Sequence, residues 1–324
     1  MSTTEFAQVG AEEASAFGFE RWPLVRKCTL GLYFVAMIVW SSRYGIPVQR
    51  ELVILWTCGA LVCVSLGRPL RQILQLLIDW LPIVAVFWAY DLTRGAADQL
   101  GIGVHAHPMI DFDKFLFFGE TPTEWLQSHL YDPEALSGWN VAFTLIYTSY
   151  FIVPFALAGY LWARDHLAFL RFSKRLVTLA LAGLTTYILF PAVPPWMASE
   201  EGLLSEIHRT TSKGWEIIGV GTASLISKGQ AQVNLVAAVP SLHSGFCALV
   251  AIFLWSRVRS PWRWLLPLYP LAMGITLMAT GEHYFFDVLL GWIYAAVVMA
   301  GWNLWERRGT IPATALAERA ERKI

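Results

Sequence analysis

Apolar residues in this chain come in long runs separated by short polar punctuation. Eight runs stand out, at 28–46, 51–66, 73–90, 139–162, 175–192, 238–256, 263–280 and 283–305. A helix needs about 20 residues to cross the hydrocarbon core of a bilayer, and most of the runs approach that length. The first two are short or interrupted, and read as a tilted hairpin or as an addition to a six-helix core. Two long connections, 91–138 and 193–237, hold most of the remaining material. Within the first, the stretch Asp111-Phe112-Asp113-Lys114-Phe115-Leu116-Phe117-Phe118 is too short to span and too apolar for plain linker, so it is expected to lie in the membrane interface. The pattern predicts an all-α, polytopic transmembrane helix bundle. It divides into a tail over 1–27, a membrane region over 28–305 and a second tail over 306–324.

Composition supports the membrane reading. The chain is 56% hydrophobic and 15% charged, where a soluble domain carries about 25% charged residues. Net charge is zero, so no basic field favours nucleic acid. The basic residues are unevenly placed: segments on the side of the termini hold 17 Lys and Arg, the opposite side 7. By the positive-inside rule both termini are expected in the cytoplasm and the two long connections outside. No cleavable signal is evident, since the first twenty residues are polar and acidic. Arginine-rich basic usage fits a GC-rich bacterial source, hence the plasma membrane. Cys28, Cys58, Cys63 and Cys247 lie in apolar stretches without metal-ligand spacing and read as core residues.

Four polar clusters fall at the same expected outer boundary. They are Tyr90-Asp91-Leu92-Thr93-Arg94, Pro191-Ala192-Val193-Pro194-Pro195-Trp196, Pro240-Ser241-Leu242-His243-Ser244-Gly245, and Gly281-Glu282-His283-Tyr284-Phe285-Phe286-Asp287. Charge counting did not use this convergence, which points to one site. His283 and Asp287 are one helical turn apart on one face. A carboxylate there can hold one imidazole nitrogen and leave the other as nucleophile. A structural ion pair between helices is the competing account. His243 opens an apolar helix among Ser241, Ser244 and Gly245, small residues that permit close backbone approach and offer donors to an anion. Nothing in the pattern calls for a metal or a cofactor: no HExxH spacing and no GxSxG elbow occur.

On these residues the chain resembles the phosphatidic acid phosphatase type 2 superfamily, most of all its inositol phosphorylceramide synthase and inositol-phosphotransferase branch. Pro240-Ser241-Leu242-His243-Ser244-Gly245 is similar to that family's second motif, and His283-Tyr284-Phe285-Phe286-Asp287 with Gly291 to its third. The Tyr90-Asp91 to Arg94 patch resembles the synthase branch. So do Asp113, Leu116, Phe117, Gly119 and Pro122 with Trp125-Leu126-Gln127, and the turn Pro194-Pro195-Trp196. The resemblance covers about 75–305 and implies a six-helix catalytic bundle with His283 as nucleophile, Asp287 as its orienting group and His243 as proton donor. It implies a phospholipid, sphingolipid or polyprenyl-phosphate substrate. Transfer of a phospho-headgroup such as inositol phosphate is the leading activity, hydrolysis of a lipid phosphate the alternative, and a non-enzymatic transporter or scaffold the remaining class. One departure stands out. The family's first motif, a Lys followed seven residues later by Arg-Pro, is missing: the only Arg-Pro is Arg68-Pro69, with Leu61 where Lys would stand. Arg94 is therefore the expected phosphate ligand, with Tyr90, Asp91, Ser241 and Ser244 as further substrate-binding candidates.

Overall fold

The computed structural model describes residues 22–44, 50–92, 102–132, 137–218 and 236–309. The chain forms two compact units, one from residues 1–81 with 215–233 and the other from 82–214 with 234–324. In the first, α1 (Trp22–Tyr44) packs on α2 (Arg50–Ser65) through aromatic side chains. The Tyr33 hydroxyl donates to the Trp56 carbonyl at 2.6 Å, and Trp40 meets Trp56 edge-on. The next helix, α3 (Leu70–Leu92), carries Pro82 inside it at the point where the units divide.

The second unit holds α4 (His107–Leu116), α5 (Pro122–Leu130), α6 (Gly138–Ser149), α7 (Val153–Arg164), α8 (His166–Leu189) and α9 (Pro195–Glu200). After the short α10 (Lys213–Ile218), which crosses the division, come α11 (Leu242–Trp255), a 3-10 turn (Pro261–Leu265), α12 (Leu268–Ala279) and α13 (Phe285–Gly309). Every predicted apolar run contains a helix, and no strand occurs among the described residues. The run 139–162 is broken in two, because α6 and α7 meet at a 42° bend. Pro154, in the first turn of α7, has no N–H with which to continue the α6 ladder.

This is a membrane protein of the helical class. Pro23–Ser41 and Phe285–Arg308 are each long and apolar enough to cross a bilayer, and the bent pair α6–α7 adds a third candidate. At 14 and 12 residues, α11 and α12 reach only about 21 and 18 Å along their axes. Cys63 and Cys247 are buried as expected. Cys28 is exposed on α1, so burial by protein does not extend to it, and the Cys58 side chain lies outside the described residues.

Close packing of α11 on α13 sets the geometry of the second unit. A side chain at Gly291 would collide with the Ser241 carbonyl and the Ser244 hydroxyl, and a side chain at Gly245 would meet the Gly291 carbonyl at 3.2 Å. The backbones approach because both positions are glycine. Ser244 ties the contact by donating to the carbonyls of Ser241 and Val288, each at 3.1 Å, and the Ser241 N–H donates to the Asp287 carbonyl at 3.0 Å. At the opposite end of the same helices, Arg175 of α8 forks onto Glu306 and reaches Asn303 of α13.

The long connections are built into the unit rather than draped over it. Isolated parallel bridges join His105 to Ala192 and Ala192 to Ala237. Met109, Ile110, Val193, Ile207, Val239 and Tyr284 form a buried apolar core beneath them. The stretch predicted at 111–118 is largely α4, which buries Met109, Ile110 and Asp113 and leaves Phe115 exposed, with Phe118 exposed just beyond its end.

Candidate active site

His283 sits on the turn between α12 and α13, and Asp287 lies in the first turn of α13. Both are buried. His283 Nδ1 lies 3.2 Å from Asp287 Oδ2, which also accepts the Tyr284 N–H at 3.0 Å. An ionised carboxylate only accepts, so this contact puts the imidazole proton on Nδ1 and the lone pair on Nε2. His243, in the first turn of α11, faces His283 with ring centroids 5.7 Å apart. Aromatic rings surround it. Tyr147 of α6 lies at 5.0 Å, and Tyr150 and Phe151 lie at 4.3 and 6.2 Å. The last two belong to the break between α6 and α7, so the bend that interrupts the span delivers two walls of the histidine pocket.

The remaining candidates fall as follows. Ser241 caps α11, its hydroxyl accepting the Ser244 N–H at 3.3 Å, and both serines are fully buried in the α11–α13 contact. Tyr90 and Asp91 lie in the last turn of α3, but their side chains, and Arg94 altogether, fall outside the described residues.

Five side chains to which the sequence assigns no role hold the turn before α13. Asp113 of α4 is buried, and its two carboxylate oxygens accept the N–H groups of Phe285 and Phe286 at 2.8 and 3.0 Å. It is a cap for α13 supplied from 172 residues away. Burial pushes the Asp113 carboxyl up to about 7, against the downward pull of those two donors. Thr123 of α5 donates to the His283 carbonyl at 3.3 Å. Gln127, also on α5, donates to the carbonyls of His208 and Ala279 and accepts from the His208 N–H. Arg209 grips Glu282 through Nε at 2.7 Å and Nη2 at 3.1 Å, and Thr211 donates to the same carboxylate at 3.0 Å. Gly281 makes this assembly possible. Its φ is +75°, and a side chain there would meet the His208 carbonyl at 2.9 Å. No local pattern signals these pairings, since the partners lie tens of residues or more from the turn they hold. In the sequence, Asp113 and Gln127 are marked only through the resemblance to the synthase branch, and Arg209 is not marked at all.

A pair of imidazoles with a buried carboxylate behind one of them suits transfer of a group through a covalent intermediate on nitrogen. Residues 107–301 match the PAP2 superfamily. The chain belongs to the PAP2 superfamily. It is also 27% identical over 266 residues to phosphoinositol dihydroceramide synthase of Bacteroides thetaiotaomicron, covering 76% of this chain and 81% of that protein. No solved structure gives a match. The matched PAP2 region takes in α4 through most of α13 and therefore both histidines and Asp287. As a PAP2 protein the chain is a membrane enzyme of lipid phosphotransfer or lipid-phosphate hydrolysis.

Proposed function

We propose that this PAP2 enzyme moves a phospho-headgroup, inositol phosphate or a close relative, from a phospholipid to the hydroxyl of a second lipid through a phosphohistidine. The observation that carries the reading is the His283–Asp287 contact facing His243 across 5.7 Å. His283 Nε2 attacks phosphorus, an N–P bond forms, and the bond from phosphorus to the leaving alkoxide breaks. His243, protonated, gives its proton to that alkoxide. In the second step neutral His243 takes the proton of the incoming hydroxyl, whose oxygen attacks phosphorus and displaces Nε2. Asp287 stabilises the positive imidazole and fixes its orientation. Aromatic rings around His243 exclude water and keep the proton carrier in place.

The relative's name favours a lipid alcohol over water as acceptor, and a ceramide-like lipid as that alcohol. Ser241 and Ser244 are proposed to shape the phosphate side of the pocket through the start of α11. Tyr90, Asp91 and Arg94 are proposed as further substrate-binding residues. We further propose a bacterial plasma membrane location, with both termini cytoplasmic, the catalytic end extracytoplasmic and the whole of 28–305 acting as the membrane domain. The test is to offer purified protein labelled phosphatidylinositol with and without dihydroceramide and to identify products by mass spectrometry. Label appearing in a new sphingolipid supports transfer. Label released only as water-soluble inositol phosphate, acceptor present or not, supports hydrolysis instead.

A further inference from the structure

The PAP2-like chemistry proposed above needs a cation for the phosphoryl oxygens, and the Lys and Arg-Pro pattern that would supply it is missing from this chain. We propose that Arg209 is that cation, oriented by Glu282 and Trp196. The inference rests on the histidine reading.

Arg209 comes from the long connection after α9 and reaches the turn that carries His283. Its partner Glu282 is the residue immediately before His283 in the chain and is buried. Two contacts at 2.7 and 3.1 Å make the pair a planar fork, a geometry that Lys cannot reproduce. The guanidinium also lies over the Trp196 ring at 5.3 Å, and the Trp196 N–H is bonded to the Gly281 carbonyl. Glu282 on the turn and Trp196 bonded to it therefore fix the plane and position of the charge. A cation held in a fixed plane by the residue next to His283 is placed for a phosphate bound at that histidine.

A simpler role would be to clip the loop to the turn. That task is already performed by other bonds: Thr210 N–H to the Thr280 carbonyl at 3.2 Å, and Gln127 bridging His208 to Ala279. Burying an ion pair contributes little to stability compared with apolar packing of the same volume. The pair is thus better accounted for by what its fixed charge does than by what it holds. Glu282 is on this view a positioning residue, and Arg209 a substrate-binding one.

Orthovanadate, a mimic of the phosphoryl-transfer geometry, and labelled phosphatidylinositol with dihydroceramide are the probes. Arg209→Gln should lower kcat/KM by about 10²-fold or more, the usual effect of removing one donor to developing charge. Vanadate inhibition should weaken in parallel, and the melting temperature in detergent should fall as well, because Glu282 is left buried without its partner. The exchanged pair, Arg209→Glu with Glu282→Arg, should restore the ion pair but neither turnover nor vanadate inhibition. As the Gln variant is expected to melt early, Arg209→Lys decides, and weakened vanadate inhibition in it supports the proposal. Unchanged vanadate inhibition in Arg209→Lys overturns the proposal. So does full turnover in Arg209→Gln, recovery of turnover in the exchanged pair, or a loss found only in Arg94→Gln. His283→Ala is assayed alongside: if it still turns over, the histidine reading fails rather than the assignment of the cation alone.

Discussion

Asp287 makes the sharpest demand on a single side chain. It holds the imidazole proton on Nδ1, and an amide in its place would present either a donor or a weaker acceptor. Asp287→Asn should therefore lose activity on the order of 10⁴-fold, the cost seen when the orienting carboxylate of a serine-protease triad is neutralised. Wild-type KM for the donor lipid and an unchanged melting curve would show that the loss is chemical. The two histidines should fail differently. General-acid help is worth about 10²–10⁴-fold and matters most for a poor leaving group. His243→Ala should accordingly be crippled on a natural lipid donor and far less so on a nitrophenyl phosphodiester, measured as the ratio of the two rates. An equal loss on both donors would remove proton donation from its role. Asp113 allows a different test. Its carboxyl moves from an ordinary 3.8 up to about 7 on folding, so the folded protein holds the proton over a window in which the unfolded chain has released it. Stability contributed by that group is present at low pH and is lost as pH rises through the window. Melting temperatures of Asp113→Asn should gain on the wild type between about pH 4 and 7, whatever the offset between them; a constant offset would contradict the shift.

At the level of elements, the sequence made the helices legible because their signal is local: an apolar run reports a helix whatever lies around it. The meeting of the candidate residues was equally legible, since His283 and Asp287 are four residues apart and His243 opens its own helix. What the pattern could not carry was the architecture of the connections. Asp113 capping α13, Gln127 bridging two loops and Arg209 forking onto Glu282 depend on chain segments far apart in sequence. The bend between α6 and α7 was hidden for a related reason: the apolar run continues through it, and only the placement of Pro154 marks the break. The contact between α11 and α13 yields its own prediction. Gly291→Ala must push the helices apart against the Ser241 carbonyl and the Ser244 hydroxyl. Overpacking of this kind costs about 1–3 kcal/mol. The melting temperature should fall, and activity should fall with it because His243 rides on α11 and Asp287, the partner of His283, on α13, the two elements being separated. An alanine variant as stable and active as the wild type would show that the helices are not so tightly placed.

For the molecule as a whole, the claims are orientation and chemistry. The basic bias of 17 to 7 is what supports the proposed placement of the histidine end outside. In a cysteine-free background, Ser205→Cys should react with an impermeant thiol reagent in intact cells and Arg308→Cys should not. Both positions are exposed, so accessibility to water does not favour either. Reaction at Arg308→Cys alone would invert the protein. PAP2 membership is shown by the match over 107–301, yet that membership is shared by phosphatases and transferases, and the covalent intermediate on His283 is common to both readings. Trapping that intermediate is therefore the most direct test. Donor lipid labelled at phosphorus is mixed with enzyme in the absence of acceptor, the reaction is quenched within its first turnover, and protein-bound label is challenged with acid and with base. The account predicts label that is lost in acid and stable in base, present in the wild type and abolished in His283→Ala. With an activated aryl donor, His243→Ala should still trap it and release it slowly. Label that persists in His283→Ala and disappears in His243→Ala would assign the nucleophile to the wrong histidine and contradict the account.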